Sequence, residues 1–384
     1  MAKLGDVCTI YAGTGFPVQY QGNRSGAYPF YKVSDIAKNV TAGNVRLAFC
    51  ENYVEPDVAK RIKSTIIPPD TIVFAKIGEA VKLNRRAITS CNCIIDNNAM
   101  GIRPNEDFLS LSYFYHFMCN LHLENLAEAT TVPSVKKSRI ESIEIPLPSL
   151  QEQAIISNKL DKISDVIIFR KRQLAKLDEL VKARFVELFG HPNLNEKGWE
   201  IIPLGNLCSI VRGGSPRPIT DFLGGTVPWI KIGDATIGDN IYLHSTKERI
   251  IPEGIKKSRM VKAGSLIFAN CGVSLGFARI ITFDGCIHDG WLAMENIDSS
   301  LNKVFLLQCL NQMTEHFRAI APAGTQPNLN TAIMNAHMQI VPPLEMQKAF
   351  VDFVDKTAKF RLTIQQGLDK METLKQALMQ EYFT

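Results

Sequence analysis

The stretch that organises this chain is PLPSLQEQAIISNKLDKISDVIIFRKRQLAKLDELVKARFVELF, at residues 146–189. Its apolar residues follow alternating steps of four and three, with a full heptad as the last interval, and this spacing predicts a coiled-coil helix. A second stretch with the same spacing follows residue 344, and each carries one arginine in its seam, Arg170 or Arg361. One apolar stripe does not stabilise a helix of this length alone, so we expect the two helices to pack as an antiparallel pair. The alternative is that each helix caps its own domain.

The chain repeats itself over nearly its whole length, which indicates two copies of one structural plan. The matches run without a gap at a constant offset of 194 through most of each half, and the offset drifts to 199 or 200 near the start. Matched pairs include Phe74 and Phe268, Gly78 and Gly272, Arg85 and Arg279, Ala99 and Ala293, Met100 and Met294, Pro148 and Pro342, and Gln153 and Gln347.

Each half combines a globular segment with a long helix. Short β-branched runs such as 71–75 and 265–269 predict strands, and the stretches 109–127 and 303–320 predict helices between them. We therefore predict an α+β protein in which two repeated α/β domains are separated by two long helices that form an antiparallel coiled coil with pseudo-two-fold symmetry. The predicted segments are domain 1 at 1–148, a central helix at 149–190, domain 2 at 191–343 and a C-terminal helix at 344–384.

Composition and motif searches exclude several classes of protein. The 43 Lys and Arg residues against 38 Asp and Glu residues give a net charge of +5, and 46% of residues are hydrophobic, as in a globular protein. No stretch predicts a signal peptide or a membrane span, so we expect a cytoplasmic protein. The nine cysteines are scattered without disulfide or zinc spacing, and phosphate-loop, dinucleotide-binding and HExxH motifs are missing. The sequence thus predicts no catalytic residue and no metal site.

Basic residues cluster around glycine-containing turns in both halves. Seven lie between Lys60 and Arg86, and the second half has a comparable group around 213–214 and 272–276. Such loops bind phosphates, because glycine lets the backbone approach a polyanion, although a charged loop is often only a solvated surface. The uncharged polar loops 130–134 and 324–330 add groups that are able to read base edges.

Several of these motifs resemble those of the specificity subunit of Type I restriction-modification systems. The most specific is Pro146–Gln153, which is similar to the family's entry to its central helix; its repeat Val341–Gln347 departs from the pattern at Met346. The other shared motifs are the openings 4–6 and 204–206, the Pro-aromatic-Lys-Asp runs 29–35 and 228–234, and the segments 74–78 and 268–272.

The resemblance implies that each globular segment is a target recognition domain that reads one half of a bipartite asymmetric duplex DNA target. The helices would set the spacer and dock two modification subunits. These subunits would bind S-adenosylmethionine and methylate adenine, while restriction subunits would use ATP and Mg to translocate and cleave DNA. This chain would bind no cofactor and would itself be non-catalytic.

Candidate DNA-contact residues are carried over by position. We expect Arg85→Ala or Arg279→Ala to weaken DNA binding by about 1–3 kcal/mol if the side chain reads a guanine. The candidates are Lys32, Lys76, Lys82, Arg85, Arg86 and Thr131 in the first half, and Arg212, Arg217, Lys231, Asn270, Arg279, Thr325 and Gln326 in the second.

Three other interpretations stay open at this point. A nuclease with an unrecognised site would show metal-dependent activity in the purified chain. A structural adaptor would use the repeat and the coiled coil for protein assembly only, and would lack salt-dependent duplex binding. A recognition subunit that serves methylation without restriction would have the same sequence features.

Overall fold

A computed structural model describes residues 1–127, 133–236, 238–272, 274–322 and 327–383. The chain forms two compact units. Unit 1 consists of residues 1–173 and 364–384, and unit 2 of residues 174–363. Each unit thus contains one globular α/β part and a portion of both long helices. This arrangement has the predicted two-domain α+β class, whereas the pseudo-two-fold relation and the segment boundaries at 148, 190 and 343 stay predictions.

The globular part of unit 1 contains short strands and short helices, followed by the first long helix. Its helices are α1 Leu4–Val7, α2 Val33–Thr41, α3 Pro56–Arg61, α4 Leu111–Asn120, α5 Lys137–Glu141 and α6 Leu150–Phe189. Its strands are β1 Ala2–Lys3, β2 Cys8–Ala12, β3 Tyr28–Tyr31, β4 Tyr53–Val54, β5 Ile72–Ala75, β6 Ala87–Ile88, β7 Ile94–Ile95, β8 Ala99–Pro104 and β9 Glu144–Ile145. Helix α6 continues into unit 2 after residue 173.

Over the described residues, the globular part of unit 2 has a similar order of elements, with two additional strands and without α-helices equivalent to α2 and α3. Its helices are α7 Leu204–Leu207, α8 Lys303–Gln312, α9 Thr314–Ile320, α10 Thr331–Ala336 and the long helix α11 Leu344–Phe383, which ends in unit 1. Its strands are β10 Glu200–Pro203, β11 Ser209–Arg212, β12 Leu223–Ile230, β13 Tyr242–Leu243, β14 Glu248–Ile250, β15 Arg259–Val261, β16 Leu266–Ala269, β17 Ala278–Ile281, β18 Gly285–Ile287, β19 Trp291–Glu295 and β20 Met338–Val341. The predicted helix 303–320 is therefore two helices, and α4 is shorter than the predicted 109–127.

Each strand in the sheets of unit 1 has a counterpart in unit 2, where β13 and β15 each add one strand to a sheet. The main sheet has the order β2-β8-β5-β6 in unit 1 and β11-β19-β16-β17-β13 in unit 2. A second sheet has the order β4-β3-β7 in unit 1 and β14-β12-β18-β15 in unit 2, and the pairs β3-β7 and β12-β18 are both parallel. A two-stranded ladder, β1-β9 or β10-β20, completes each unit.

Strand register corrects the ungapped repeat alignment. Val73 pairs with Gly101 in unit 1, and its counterpart Ile267 pairs with Ala293 in unit 2. The offset for β8 and β19 is therefore 192, two residues less than the sequence match gives, because the connection after β5 is shorter in unit 2. Ala99 and Ala293 are accordingly not equivalent positions. A shift of two residues keeps every side chain on the same face of the strand, so it leaves the apolar pattern intact.

The central strands are buried on both faces. Phe74 of β5 packs among the residues of α4 and the long helices, whereas its neighbour Val73 packs on the opposite face with Tyr31. Strand β16 alternates in the same way between the two apolar clusters of unit 2. Continuous apolar runs form these strands because successive side chains point to opposite faces that are both covered.

The two long helices run antiparallel within each unit. In unit 1, Lys171 pairs with Glu372 at 2.8 Å, and Lys375 Nζ donates to Ser164 Oγ at 2.8 Å. In unit 2, the seam arginine Arg361 pairs with Asp178. The predicted antiparallel packing is thus present in both units.

A buried glutamine, Gln153 or Gln347, connects each long helix to its domain by hydrogen bonds, and we call these two residues the glutamine clamps. Gln153 is fully buried; its Oε1 accepts from Ser110 N at 2.8 Å, and its Nε2 donates to the carbonyls of Phe108 and Pro148. Gln347 makes the same three bonds in unit 2, where the partners are Asn302 N, Ser300 O and Pro342 O. This geometry explains why the motif Pro146–Gln153 and its repeat Val341–Gln347 both end in a glutamine. One side-chain amide satisfies three buried backbone groups.

Candidate nucleic-acid interface

The same lysine follows the same strand in both units. Lys32 comes directly after β3 and Lys231 directly after β12. In each case the lysine N–H donates to the carboxylate three residues later, Asp35 Oδ2 at 2.8 Å or Asp234 Oδ2 at 2.9 Å. The Pro-aromatic-Lys-Asp motif therefore encodes a fixed turn that presents a lysine at the end of the second sheet.

A glycine allows the chain to pass close to this turn. A Cβ on Gly13 would lie 1.7 Å from Asp96 O, and one on Gly213 would lie 2.2 Å from His288 O. A side chain at either position is thus sterically excluded. Strand register also makes Asp96 and His288 equivalent, since each follows the strand that pairs in parallel with β3 or β12.

In unit 1 the lysine lies among aromatic and amide groups. Lys32 Nζ donates to Gln21 Oε1 at 2.5 Å and lies 5.5 Å from the ring centroid of Phe16. The Phe16 ring stacks on Phe30, with centroids 3.7 Å apart. The edge of this surface is the 3-10 turn Val18–Tyr20, in which the side chain of Val18 is 83% exposed.

In unit 2 the corresponding surface is a cleft of about 500 Å³ rich in ion pairs. Lys231 Nζ lies 2.5 Å from Glu248 Oε1, and Arg217 Nη2 lies 3.3 Å from Asp289 Oδ2. Asp289 also accepts from Ser215 Oγ at 2.7 Å, and its backbone carbonyl accepts from Arg212 Nε. Arg212 and Arg217 are both exposed at this surface.

The Asp289 carboxyl and the His288 imidazole in this cleft both have shifted pKa values. Partial burial alone would raise the pKa of Asp289, but the Ser215 hydroxyl and the nearby cations lower it below its ordinary value. Burial lowers the pKa of His288. Its Nδ1 accepts from Gly290 N at 2.9 Å, which fits a neutral imidazole. Burial raises the pKa of Asp96 at the equivalent position in unit 1.

Three further candidates of unit 1 lie on the segment after β5. Lys76 is half-buried, and its backbone bonds to Asn98 O and Val135 N fix its position. Lys82 is exposed and lies 2.9 Å from Glu79. Arg85 is half-buried. This group is separate in sequence from the Lys32 turn, but hydrogen bonds connect the two. The Asp96 carboxylate accepts from Val33 N and Asn98 N, and the Asn98 carbonyl accepts from Lys76 N.

Three candidates are buried in the fold of the chain itself, which weighs against DNA contact. Arg86 is 3% exposed and its guanidinium donates to Asn84 Oδ1 and to backbone carbonyls. Arg279 is 8% exposed, with its guanidinium 4.7 Å from the Phe277 ring. Asn270 is fully buried and donates to Asn328 Oδ1. Burial lowers the pKa of both arginines to about 10, so both stay charged at neutral pH.

The predicted equivalence of Arg85 and Arg279 is wrong. Register pairs Val73 with Ala87 in unit 1 and Ile267 with Arg279 in unit 2, so the counterpart of Arg279 is Ala87. Thr131, Thr325 and Gln326 lie outside the described residues.

Sequence reasoning missed the partners of the candidate cations. These partners are Phe16, Gln21, Ser215, Glu248, His288 and Asp289. Glu248 is 17 residues from Lys231, and Asp289 is 72 residues from Arg217. No local pattern marks such contacts. The only sequence signal near them is the proline that precedes each 3-10 turn, Pro17 or Pro218.

The described residues contain no group of three His, Cys, Asp or Glu side chains arranged to hold a metal ion. Among the helices within the described ranges, none is both long enough and apolar enough to span a membrane.

Comparison with known proteins places this fold in a family. The family described as "Type I restriction modification DNA specificity domain" matches residues 1–179 and 196–372. The chain is 23% identical to the Type I restriction enzyme MjaIX specificity subunit of Methanocaldococcus jannaschii, over 98% of this chain and 90% of the relative. It is 21% identical to the StySPI specificity subunit of Salmonella potsdam, over 83% of this chain and 74% of the relative.

Two solved structures share the fold. The Type I restriction-modification S subunit from M. genitalium has a TM-score of 0.56 at 14% identity, over 100% of this chain and 95% of the other. A chain from a structure of Type I restriction-modification complex assembly has a TM-score of 0.57 at 20% identity, over 99% of this chain and 96% of the other. Specificity subunits are non-catalytic members of their systems. Because the family matches both halves, the chain belongs to the Type I restriction-modification DNA specificity family and is a DNA specificity subunit with two recognition domains.

Proposed function

We propose that each recognition domain reads one half of a bipartite asymmetric duplex DNA target, through the surface around Lys32 in unit 1 and around Lys231 in unit 2. The duplicated lysine turn carries this proposal, because the same backbone geometry presents a cation in both units while its neighbours differ. Identical turns suit phosphate contacts, and different neighbours suit the reading of different bases. Lys76, Lys82, Arg85, Arg212 and Arg217 complete the proposed contact set.

The chain would act in the cytoplasm, where its DNA substrate lies, together with modification and restriction subunits. Modification subunits would supply S-adenosylmethionine-dependent adenine methylation, and restriction subunits would supply ATP- and Mg-dependent translocation and cleavage. The two long helices would fix the spacer between the half-sites.

A repeated pair of exposed apolar side chains supports the docking of two modification subunits. Val166 and Leu374 of unit 1 are 41% and 44% exposed, and Leu180 and Phe360 of unit 2 are 48% and 66% exposed. The ion pairs Lys171–Glu372 and Asp178–Arg361 set the register of the antiparallel helices. In this register, the two members of each pair lie at the same height on neighbouring helices. Because the repeat maps Val166 onto Phe360 and Leu180 onto Leu374, the two patches fit two copies of one partner.

Methylation sequencing tests the recognition role. DNA from cells that carry the chain with its neighbouring modification subunit should contain methyladenine at a two-part motif with a fixed spacer, and deletion of the chain should abolish it. Methylation that persists without the chain would contradict the proposal.

Single substitutions test the lysine surface. Lys32→Ala and Lys231→Ala should each weaken duplex binding by the complex and lower its salt slope by about one, as expected for one lost phosphate contact. Lys348→Ala, an exposed lysine at the start of α11, is the control and should bind like the wild type.

Charged substitutions test the docking patches. Leu180→Glu with Phe360→Glu should leave one modification subunit bound instead of two, as measured by mass photometry or native mass spectrometry. Leu194→Glu, which changes a 62% exposed leucine outside the helices, should leave both bound. Retention of both subunits by the first variant would rule out this patch.

A further inference from the structure

The equivalent lysines of the two recognition domains have partners of different charge. Lys32 Nζ donates to the neutral Oε1 of Gln21, whereas Lys231 Nζ contacts the carboxylate of Glu248, both at 2.5 Å. The Lys231 side chain is 43% exposed and that of Glu248 is 36% exposed, so both reach the surface of the cleft. The pair is therefore placed where a DNA phosphate would arrive.

Among the described residues, no carboxylate forms an ion pair with Lys32 Nζ, and Asp35 contacts Lys32 through the backbone N–H. Asp96 is buried and accepts from Val33 N and Asn98 N, without an ion pair to Lys32 within 4.0 Å. Glu51 forms its ion pair with Lys38. In unit 2, the position of Asp96 is taken by His288, and the neighbouring carboxylate of Asp289 is engaged by Arg217 and Ser215. Glu248 is therefore the carboxylate that pairs with Lys231.

This difference has a direct electrostatic consequence. A phosphate that approaches Lys32 displaces only an amide oxygen. A phosphate that approaches Lys231 must either separate the lysine from Glu248 or lie beside a carboxylate, and both reduce the gain in free energy. Phosphate contacts are made to DNA of any sequence, so the penalty applies fully to noncognate duplex, while cognate duplex adds base contacts that offset it.

We infer that Glu248 is a specificity-determining residue of the second recognition domain, which lowers affinity for noncognate DNA by offsetting the charge of Lys231. At this contact the first domain, with Gln21 in place of a carboxylate, then offers the stronger single phosphate contact. This inference rests on the proposed DNA-reading role of the lysine turns.

The role of Glu248 is tested by giving each lysine the partner of the other, with the variants Glu248→Gln and Gln21→Glu. The full chain in complex with its modification subunits is titrated at several salt concentrations with a noncognate duplex and with a duplex that carries the target found by methylation sequencing. Glu248→Gln should tighten noncognate binding about three- to tenfold and steepen the salt slope by up to about one, with a smaller change for the target duplex. Gln21→Glu should weaken noncognate binding by a similar factor. The ratio of the two affinities should fall in the first variant and rise in the second.

A second pair of variants separates the possible failures. In a Lys231→Met background, any remaining effect of Glu248→Gln reports direct repulsion between the carboxylate and the phosphate, and the difference from its effect in the wild type measures the coupling of the two side chains. If Lys231→Met weakens binding but Glu248→Gln changes neither affinity nor salt slope in the wild-type background, the role of Glu248 is wrong and the interface stands. If Lys32→Ala and Lys231→Met both bind noncognate and target duplexes like the wild type, the proposed interface itself fails. Thermal melting of each variant shows that it is folded.

Discussion

The two recognition domains share most of their strand pairing, while polar and apolar groups replace one another at equivalent positions. His337 of unit 2 and Ile143 of unit 1 occupy one such position, since the carbonyl of each accepts the N–H of the first residue of α7 or α1. The glutamine clamps and the lysine turns, by contrast, are the same in both units. Groups that bind the backbone are thus the same in both units, because they stabilise the fold, while neighbouring side chains are free to set stability and specificity.

The largest expected effect concerns the phenylalanine at the end of each long helix. Phe189 is fully buried, with the rings of Phe305 and Phe350 at 4.8 and 5.5 Å, and Phe383 is 8% exposed against Tyr113 at 5.1 Å. Phe189→Ala should lower the free energy of unfolding by about 3–5 kcal/mol, because a large cavity remains in the core. Phe383→Ala should cost less, since the last turn of α11 has room to relax.

Urea unfolding followed by circular dichroism measures both losses. Phe360→Ala is the matched control, because its side chain is 66% exposed, and it should change stability by no more than about 0.5 kcal/mol. A loss at Phe360 as large as that at Phe189 would contradict the assignment of the core.

The glutamine clamps should have equal and somewhat smaller effects in the two units. Gln153→Met or Gln347→Met removes three hydrogen bonds and leaves a buried backbone N–H without a partner, which should cost about 2–3 kcal/mol. Differential scanning calorimetry should show a lower melting temperature for each variant. Gln151→Met, on an exposed face of the same helix turn, should melt like the wild type. A loss in only one unit would show that the clamps are not equivalent.

The stability of unit 2 should depend on acid pH through His337, whereas unit 1 has Ile143 at the equivalent position. Burial lowers the pKa of His337 from 6.5 to about 4. The unfolded chain therefore binds a proton before the folded chain does as the pH falls, and stability that is present above about pH 6.5 is lost progressively toward pH 4. At pH 5 this loss amounts to about 2 kcal/mol.

His337→Ile introduces the residue of the other repeat and should reduce the loss of stability between pH 7 and pH 5, as measured by urea unfolding at both values. His191→Ile alters an exposed histidine and should leave the pH dependence unchanged. A His337→Ile variant with the pH dependence of the wild type would show that the imidazole is not the source of the effect.

Much of the fold could be predicted from the sequence because its signals are local or repeated. Heptad spacing predicted both long helices, and apolar runs predicted β5 and β16. Repetition of the Pro-aromatic-Lys-Asp motif indicated Lys32 and Lys231. The ungapped alignment failed after β5, because a two-residue deletion preserves strand faces and thus leaves no trace in the apolar pattern.

The candidate site was less predictable, because burial and pairing are set by distant residues. Arg279 resembled a surface cation in sequence, yet β16 and Phe277 bury it. Glu248 carried no signal at all, since only the pairing of β12 with β14 brings it to Lys231.

The duplicated plan, the two long helices and the repeated motif that contains Lys32 or Lys231 can be recognised from the sequence, because hydrophobic spacing and backbone-binding motifs act over a few residues. Tertiary contacts determine which cations are buried, which carboxylates face them, and why Lys32 and Lys231 differ in charge environment. Those properties depend on strand register and on contacts between residues far apart in the chain, where the free energy of an ion pair is set by exposure and distance and not by neighbours in sequence.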